Sequence, residues 1–323
     1  MRLFRHYQSL PPEARSGAVA IGNFDGVHLG HQAVIGEAGR IAHDRGIPWS
    51  VLTLEPHPRA VFQPDSPPFR LTPFHAKARL IEALGVDILV VVAFDAVFAA
   101  LRATRFVKAV LVEGLGARAV ISGHDFHFGR GREGHPDLLL ELGSTYDFDY
   151  TCVHEVRGPD GVPYSSTRIR EALRDGDLAQ ASRLLGRPFE IEGRIVEGDR
   201  RGRTIGYPTA NVALGDYVRP AFGVYAVEVA VENGSWRHGV ANIGVRPSFG
   251  GTVALLEAHL FDVDEDLYGR HARVRLRHFL RPEKRFDGID GLKAQIAVDS
   301  ARARHLLAEL TDAPRGSSQS VGP

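Results

Sequence analysis

The 323-residue sequence predicts an α/β chain of two domains. The first is an N-terminal Rossmann-like domain with a parallel sheet. The second is a C-terminal small antiparallel β-barrel with a terminal helix. Three observations carry this. Apolar strand-like runs alternate with helical patterns from Ala18 to about Val153, as parallel strands with crossover helices require. Past Arg187-Pro188 the pattern changes to short strands of period 2 with tight turns. A chain of this length with 44% hydrophobic residues also has the material for two ordinary cores.

Charge and cysteine content narrow the function classes. The 39 Lys plus Arg equal the 39 Asp plus Glu, so no basic field is available to hold a nucleic-acid backbone, and no nucleic-acid partner is expected. The single cysteine, Cys152, builds neither a disulfide framework nor a zinc site and fits a reducing compartment. The N-terminus lacks a signal-peptide type of apolar core, and the longest apolar run, residues 88–94, is too short to span a bilayer. The expectation is a cytoplasmic protein without a membrane partner.

In chain order, AVAI at residues 18–21 reads as a short buried strand. Gly22 and Gly26 then bracket a turn that delivers His28-Leu29-Gly30-His31 to a helix start, the helix running over residues 32–44. A helix start offers unpaired N–H groups and a positive dipole end, and Gly30 has no side chain to keep a phosphate from the backbone. His28 and His31 lie three apart, so one helical turn turns both imidazoles to the same side, where each can donate to phosphate oxygens. The same pair also reads as a solvated helix face or half of a metal site.

Later strands are expected at residues 50–54, 88–92, 119–122 and 150–153, with helices at 74–84, 104–114 and 136–142 between them. In such a sheet ligands bind beyond the carboxyl ends of the strands, where the turn after Ile21 falls. Leu54 is followed by Glu55-Pro-His-Pro-Arg59 and a Pro-rich stretch, residues 63–69, long enough to act as a flap. Ser122 is followed by GHDFHFGRG, where Phe126 and Phe128 offer flat apolar faces for a ligand or serve as turn anchors. In Tyr164-Ser-Ser-Thr-Arg-Ile-Arg170, Ser165 or Ser166 can N-cap a helix, and the same residues fit a second phosphate-facing helix start. A short helix follows over residues 177–186.

Beyond it, residues 189–196, 224–231, 255–261 and 274–279 read as strands, with a hairpin signal at residues 232–235 and a closing helical stretch at 288–310. GDRRGRTIGYPTAN, residues 198–211, combines glycines and arginines with hard oxygen donors, as a magnesium nucleotide requires; by itself it equally suits a surface loop. Glu257 falls on the same strand face as Leu255 and His259, which by itself describes a solvent-facing glutamate on a sheet edge.

These motifs carry a resemblance. His28-x-Gly-His31 is similar to the signature of the HxGH nucleotidyltransferases, and GNFDGVHLGH resembles the bacterial bifunctional riboflavin kinase/FMN adenylyltransferases, or FAD synthetases. SSTRIR resembles that family's SSTxxR, and PTAN, ANIGVRPSF, LEAHLFD and DLYG follow in the family's order, so the likeness covers roughly residues 3–305. It implies a nucleotidyltransferase domain at residues 1–186, a riboflavin kinase domain at 187–312 and a disordered tail at 313–323. It implies small-molecule substrates, ATP, riboflavin and FMN, with Mg²⁺ as cofactor; a weak homo-oligomer is allowed.

Residue by residue, the resemblance assigns catalysis in the first domain to His28, His31 and Arg170. It assigns nucleotide contacts there to Gly22, Phe24, Asp25, Gly26, Gly30, Ser166 and Thr167, and flavin contacts to Phe62, Asp125, Phe126 and Phe128. In the second domain it assigns nucleotide binding to Gly202, Arg203, Thr209 and Asn211, the metal to Thr209 and Asn211, and the base to Glu257. His127 stands where the family commonly has arginine, and Ser248 where threonine is usual. The rival readings are a kinase whose adenylyltransferase is impaired by His127, and a non-catalytic flavin- or nucleotide-binding regulator.

Overall fold

The computed structural model describes residues 1–197, 207–232, 234–248, 251–263 and 265–312. Gly202, Arg203, Asn233 of the hairpin signal, and the tail at 313–323 lie outside the described residues. Packing divides the chain into two compact units, one of Met1–Arg168 with Leu184–Gly186, the other of Ile169–Arg183 with Arg187 onward.

In the first unit, the described residues form a six-stranded parallel sheet in the order β1-β4-β3-β2-β5-β6, built from β1 (Arg2–Phe4), β2 (Ala18–Ile21), β3 (Trp49–Glu55), β4 (Ile88–Ala93), β5 (Ala119–Gly123) and β6 (Asp149–Val153). Its helices are α1 (Leu29–Arg45), α2 (Pro58–Phe62), α3 (Phe74–Glu82), α4 (Ala96–Ala99), α5 (Ala103–Phe106) and α6 (Pro136–Tyr146); the division of the chain falls within α7 (Ser166–Asp175), and most of it and of α8 (Leu178–Leu185) is counted with the second unit.

Strand β2 is buried on both faces, and period 2 sorts its residues between two cores. Ala18 and Ala20 join Ile35, Ala38 and Ile41 of α1, while Val19 and Ile21 join Val107, Leu111 and Leu139 on the opposite face. The small alanines let α1 lie close to the sheet. The expected helix over residues 104–114 is α5 running into a π-helical turn, Val107–Gly114. Sequence reading passed over β1, a three-residue edge strand too short to show a period, and α2, which opens the stretch after the β3 end.

In the second unit, the described residues close a barrel in the order β10-β11-β8-β7-β12-β9, formed by β7 (Phe189–Val196), β8 (Ala210–Ala213), β9 (Gly223–Val231), β10 (Arg237–Ser248), β11 (Gly251–Leu260) and β12 (His271–Pro282). Leu256, Val212, Ile195, Val274 and Val227 are buried, and the intervening residues of β7, β11 and β12 face outward. Two strands were not expected. β10 is interrupted by Gly239 and Gly244, which break the alternation; at Gly239 close backbone approach requires it, since a Cβ there would fall 2.5 Å from the His259 carbonyl. β8 is only four residues long and carries Asn211 among its buried positions. The terminal helix α9 (Ile289–Asp312) sets Ala303 and Leu307 against Val224, Ala226 and Leu280. Arg281 of β12 also grips Asp299 of α9 through both carboxylate oxygens at 2.8–3.1 Å.

Candidate active sites

In the first unit the chain leaves β2 through a turn that only a special backbone can make. Phe24, Gly26 and Val27 all have positive φ, at 49°, 94° and 42°. Gly26 is required sterically as well, since a Cβ there would lie 2.8 Å from the Leu71 side chain. Asp25 is 3% exposed and turns inward, where its carboxylate accepts from the N–H groups of Leu71 and Thr72, both at 3.0 Å. Thr72 Oγ1 in turn accepts from the Gly26 N–H at 2.8 Å. Asp25 therefore fixes the turn.

His28 is the N-cap of α1, its Nδ1 accepting from the His31 N–H at 3.2 Å. With Nδ1 accepting, a neutral His28 carries its proton on Nε2, the atom that can donate to an anion. The rings of His28 and His31 stack with centroids 3.6 Å apart, and Phe24 meets His31 edge-on at 5.4 Å. At Gly30 a Cβ would come within 3.2 Å of the His28 ring and 3.3 Å of Tyr164, so this helix start stays open because the residue is glycine. At Gly22 a Cβ would come within 2.9 Å of the Phe24 ring.

Ser166 opens α7, and its Oγ donates to the Asp25 carbonyl at 2.8 Å, which joins the two sequence-expected phosphate segments. Thr167 is exposed and its N–H donates to Ser165 Oγ. Arg170 is counted with the second unit, the division falling between Arg168 and Ile169.

Beneath the turn lies a layer of buried charge that sequence reading missed. Lys77 is fully buried, with Nζ 3.1 Å from Glu55 Oε2, 3.2 Å from Thr53 Oγ1 and 3.2 Å from the Asn23 carbonyl. Arg70 donates to both oxygens of Glu55, at 2.7 and 3.1 Å. Burial works to raise the Glu55 pKa, but the Arg70 hydrogen bonds and the charges of Lys77 and Arg70 outweigh it and hold the carboxyl below its usual range. Burial pulls the Lys77 ammonium pKa down against the opposing pull of Glu55. The signal was legible in α3, where Lys77 stands four before the buried Ile81 and so on its core face.

The three phenylalanines expected to meet the flavin lie on one row of aromatic rings. Phe62, Phe94, Phe98, Phe106, Phe128 and Phe126 follow one another with centroid separations of 5.5, 6.0, 6.0, 5.2 and 5.6 Å. Phe62 at one end is 65% exposed, whereas Phe128 is buried. Asp125 is exposed, and its carbonyl accepts from Nδ1 of the exposed His127 at 2.9 Å.

In the second unit the strand register assembles the candidate residues. Glu257 of β11 pairs with Asn211 of β8 on one side and Asn242 of β10 on the other, so all three share a face. Glu257 is thus on an interior strand of the barrel wall, not on a sheet edge. Its side chain is half-buried, and its carboxylate meets Arg246 through Oε1 to Nε at 2.6 Å and Oε2 to Nη2 at 2.7 Å. Asn211 is 3% exposed, and among the described residues its Oδ1 has no hydrogen-bond partner. A buried amide oxygen left without a donor suits a cation or a ligand donor. Thr209 lines a cleft of about 200 Å³ together with Pro208, Ala210, Asp266 and Tyr268, so PTAN and DLYG meet at one cavity. A larger hollow beside Met1, Glu13 and Glu82 holds none of the expected residues. Among the described residues no cluster of three or more His, Cys, Asp or Glu is placed to hold a metal, and no helix is long and apolar enough to cross a membrane.

Comparison with known proteins follows the same division. A FAD synthetase family model matches residues 10–168, and a riboflavin kinase family model matches residues 185–307. The bifunctional riboflavin kinase/FMN adenylyltransferase of Escherichia coli (strain K12) is 47% identical over 308 residues, covering 95% of this chain and 98% of the relative. That of Pseudomonas fluorescens is 43% identical, with 95% and 98% covered. Among solved structures, a Streptococcus pneumoniae protein described as a macrolide-efflux protein superimposes with a TM-score of 0.81 at 31% identity, covering 94% of this chain and 98% of that one.

Proposed function

The chain belongs to the bifunctional riboflavin kinase/FMN adenylyltransferase family, and from that premise we propose which of its residues perform each reaction. It is an ATP-dependent transferase that phosphorylates riboflavin to FMN and then adenylylates FMN to FAD. The kinase reaction is assigned to the barrel domain, taken as residues 187–312, and the adenylyl transfer to residues 1–186.

In the kinase, the ribityl 5′-hydroxyl attacks the γ-phosphorus of ATP, a new P–O bond forms and ADP leaves. Glu257 takes the hydroxyl proton as general base. Arg246 holds the carboxylate in place through both oxygens, so the base is presented in one orientation. Thr209 and Asn211 supply neutral hard oxygens, and the buried Oδ1 of Asn211 fits a magnesium ion held jointly with the nucleotide phosphates. When bound, that ion offsets charge developing on the transferred phosphoryl group. Gly202 and Arg203 are assigned to the nucleotide on their motif alone.

In the adenylyltransferase, the FMN phosphate is already ionised and attacks the α-phosphorus of a second ATP, releasing pyrophosphate. No base is required, and catalysis reduces to placement and charge stabilisation. His28 and His31 at the start of α1 supply donors, with the α1 dipole behind them. Ser166 and Thr167 contribute the start of α7, and Arg170, four residues after Ser166 on the same helix face, joins them on the strength of the SSTxxR motif. Phe62, Phe126 and Phe128 are assigned to the flavin ring, with Asp125 beside them. The single cysteine supports a cytoplasmic location.

The observation that carries this assignment is the pairing of Glu257 with Asn211 across β11 and β8, which puts a carboxylate beside a buried oxygen donor. The test is incubation of the pure chain with riboflavin, ATP and Mg²⁺, followed by chromatography of the flavins. FMN followed by FAD is expected. FMN without FAD points to a kinase whose adenylyltransferase is impaired, and unchanged riboflavin to a non-catalytic binder.

A further inference from the structure

His259 lies two residues beyond Glu257 on β11 and therefore on the same strand face. Its Nδ1 donates to the Pro208 carbonyl at 2.9 Å. Its ring meets Tyr207 edge-on with centroids 5.2 Å apart and Phe261 at 6.0 Å, so its orientation is set from two sides. The ladder between β8 and β11 includes Ala210 opposite Ala258 and Asn211 opposite Glu257, but does not reach Pro208 or Thr209. The cleft-lining residues Pro208 and Thr209 thus precede the strand pairing, and His259 ties them to β11 from outside the ladder. Proline has no N–H to offer a neighbour, so its carbonyl is the backbone handle available at that point.

We infer that His259 is a positioning residue of the kinase reaction, holding the Pro208-Thr209 segment in register with Glu257 so that the magnesium nucleotide and the base keep a fixed separation. One strand then sets both partners of the transfer: the base at Glu257 and the anchor of the cation-binding segment at His259. A carbonyl can only accept, so the hydrogen bond requires a proton on Nδ1, and this holds for the neutral Nδ1–H tautomer and for imidazolium alike. The inference rests on the assignment of Thr209 and Asn211 to the magnesium nucleotide.

The geometry gives a discriminating set of substitutions. Asparagine places its amide nitrogen near the position of Nδ1, glutamine near that of Nε2, and alanine removes the donor. In the full chain, His259→Ala and His259→Gln are expected to raise the KM for ATP and the half-saturating Mg²⁺ concentration of the kinase about 2- to 12-fold, the range for one lost neutral hydrogen bond. The riboflavin KM and conversion of supplied FMN to FAD stay within about twofold of wild type on the same grounds. His259→Asn restores the ATP and Mg²⁺ dependence. Unchanged ATP and Mg²⁺ dependence in His259→Ala overturns the inference, as does an equal loss in the Ala and Asn variants, or a loss shared with the riboflavin KM. Asn211→Ala is measured alongside: if it leaves the Mg²⁺ dependence untouched, the assignment of the magnesium segment fails and takes this inference with it. A clear Asn211→Ala effect with a silent His259→Ala overturns the inference alone.

Discussion

Glu257 of β11 stands opposite Asn242 of β10, yet Arg246, four residues along β10, reaches it and holds both carboxylate oxygens at 2.6 and 2.7 Å. Each of those oxygens keeps a second lone pair, so the ribityl proton can be accepted while Arg246 still holds the carboxylate. Glu257→Gln keeps the size of the side chain and cannot take the proton. FMN formation is expected to fall roughly 10²- to 10⁴-fold, while supplied FMN still becomes FAD. A Gln variant that phosphorylates riboflavin near the wild-type rate under saturating ATP and Mg²⁺ removes Glu257 from the mechanism.

His28→Ala and His31→Ala address the other reaction. Each histidine is assigned to charge growing on the ATP phosphates, and losing one such donor costs about 2 to 4 kcal/mol of transition-state stabilisation. FAD formation should drop roughly 30- to 1000-fold with FMN formation near normal. His28 also caps α1, so a thermal melt separates a lost cap, worth about 1 kcal/mol, from lost catalysis. Unaltered FAD synthesis in the double variant would place the site elsewhere.

The sequence made these residues legible because strands with continuous apolar runs, such as β2 and β4, and helices with glycine-bracketed starts, such as α1, declare themselves locally. What it hid depends on distant pairing. Arg70, Thr72 and Lys77 acquire meaning only when the segment after β3 folds back under the residue 22–27 turn and meets Asp25 and Glu55. Arg246 stood inside a quoted motif, yet only the antiparallel register of β10 and β11 brings it to Glu257. β10 itself was hidden by Gly239 and Gly244, the first demanded by close approach to the His259 carbonyl rather than by a turn.

The buried charges make a stability prediction. Glu55→Gln leaves Lys77 and Arg70, two cations, without the carboxylate they share, whereas Lys77→Met leaves Glu55 still held by Arg70. Glu55→Gln should therefore be the more damaging of the two, itself costing about 3 to 5 kcal/mol in urea unfolding, as when one partner of a buried pair is removed. A smaller loss for Glu55→Gln than for Lys77→Met contradicts this.

The same glutamate sets a pH dependence. Its carboxyl is held below the ordinary 4.5 in the folded chain, so the folded state binds fewer protons than the unfolded one in the window just under that value. Its contribution to stability is then fully present above about pH 4.5 and is lost as pH falls through the folded value. The stability gap between wild type and Glu55→Gln should narrow as pH drops below 4.5. A gap that stays constant down to the acid transition would mean that Glu55 is not the titrating group.

The kinase domain is proposed to start at residue 187, yet within the second unit Leu173 of α7 accepts from the Ala221 N–H at 2.8 Å. A Cβ on Gly176, just past α7, would fall 3.0 Å from the Phe279 ring, which shows how closely that backbone covers the aromatic face. Removing residues 169–186 leaves the Ala221 N–H without this acceptor and uncovers Phe279, changes worth about 1 to 3 kcal/mol together. A fragment starting at 169 should therefore melt several degrees above one starting at 187, by roughly 3 to 4 °C per kcal/mol for a domain of this size. Both should convert riboflavin to FMN and stop there, because each keeps Thr209, Asn211 and Glu257. Equal melting temperatures would show that α7 and α8 add nothing to the barrel. A folded fragment without kinase activity would overturn the assignment of that reaction to the barrel domain.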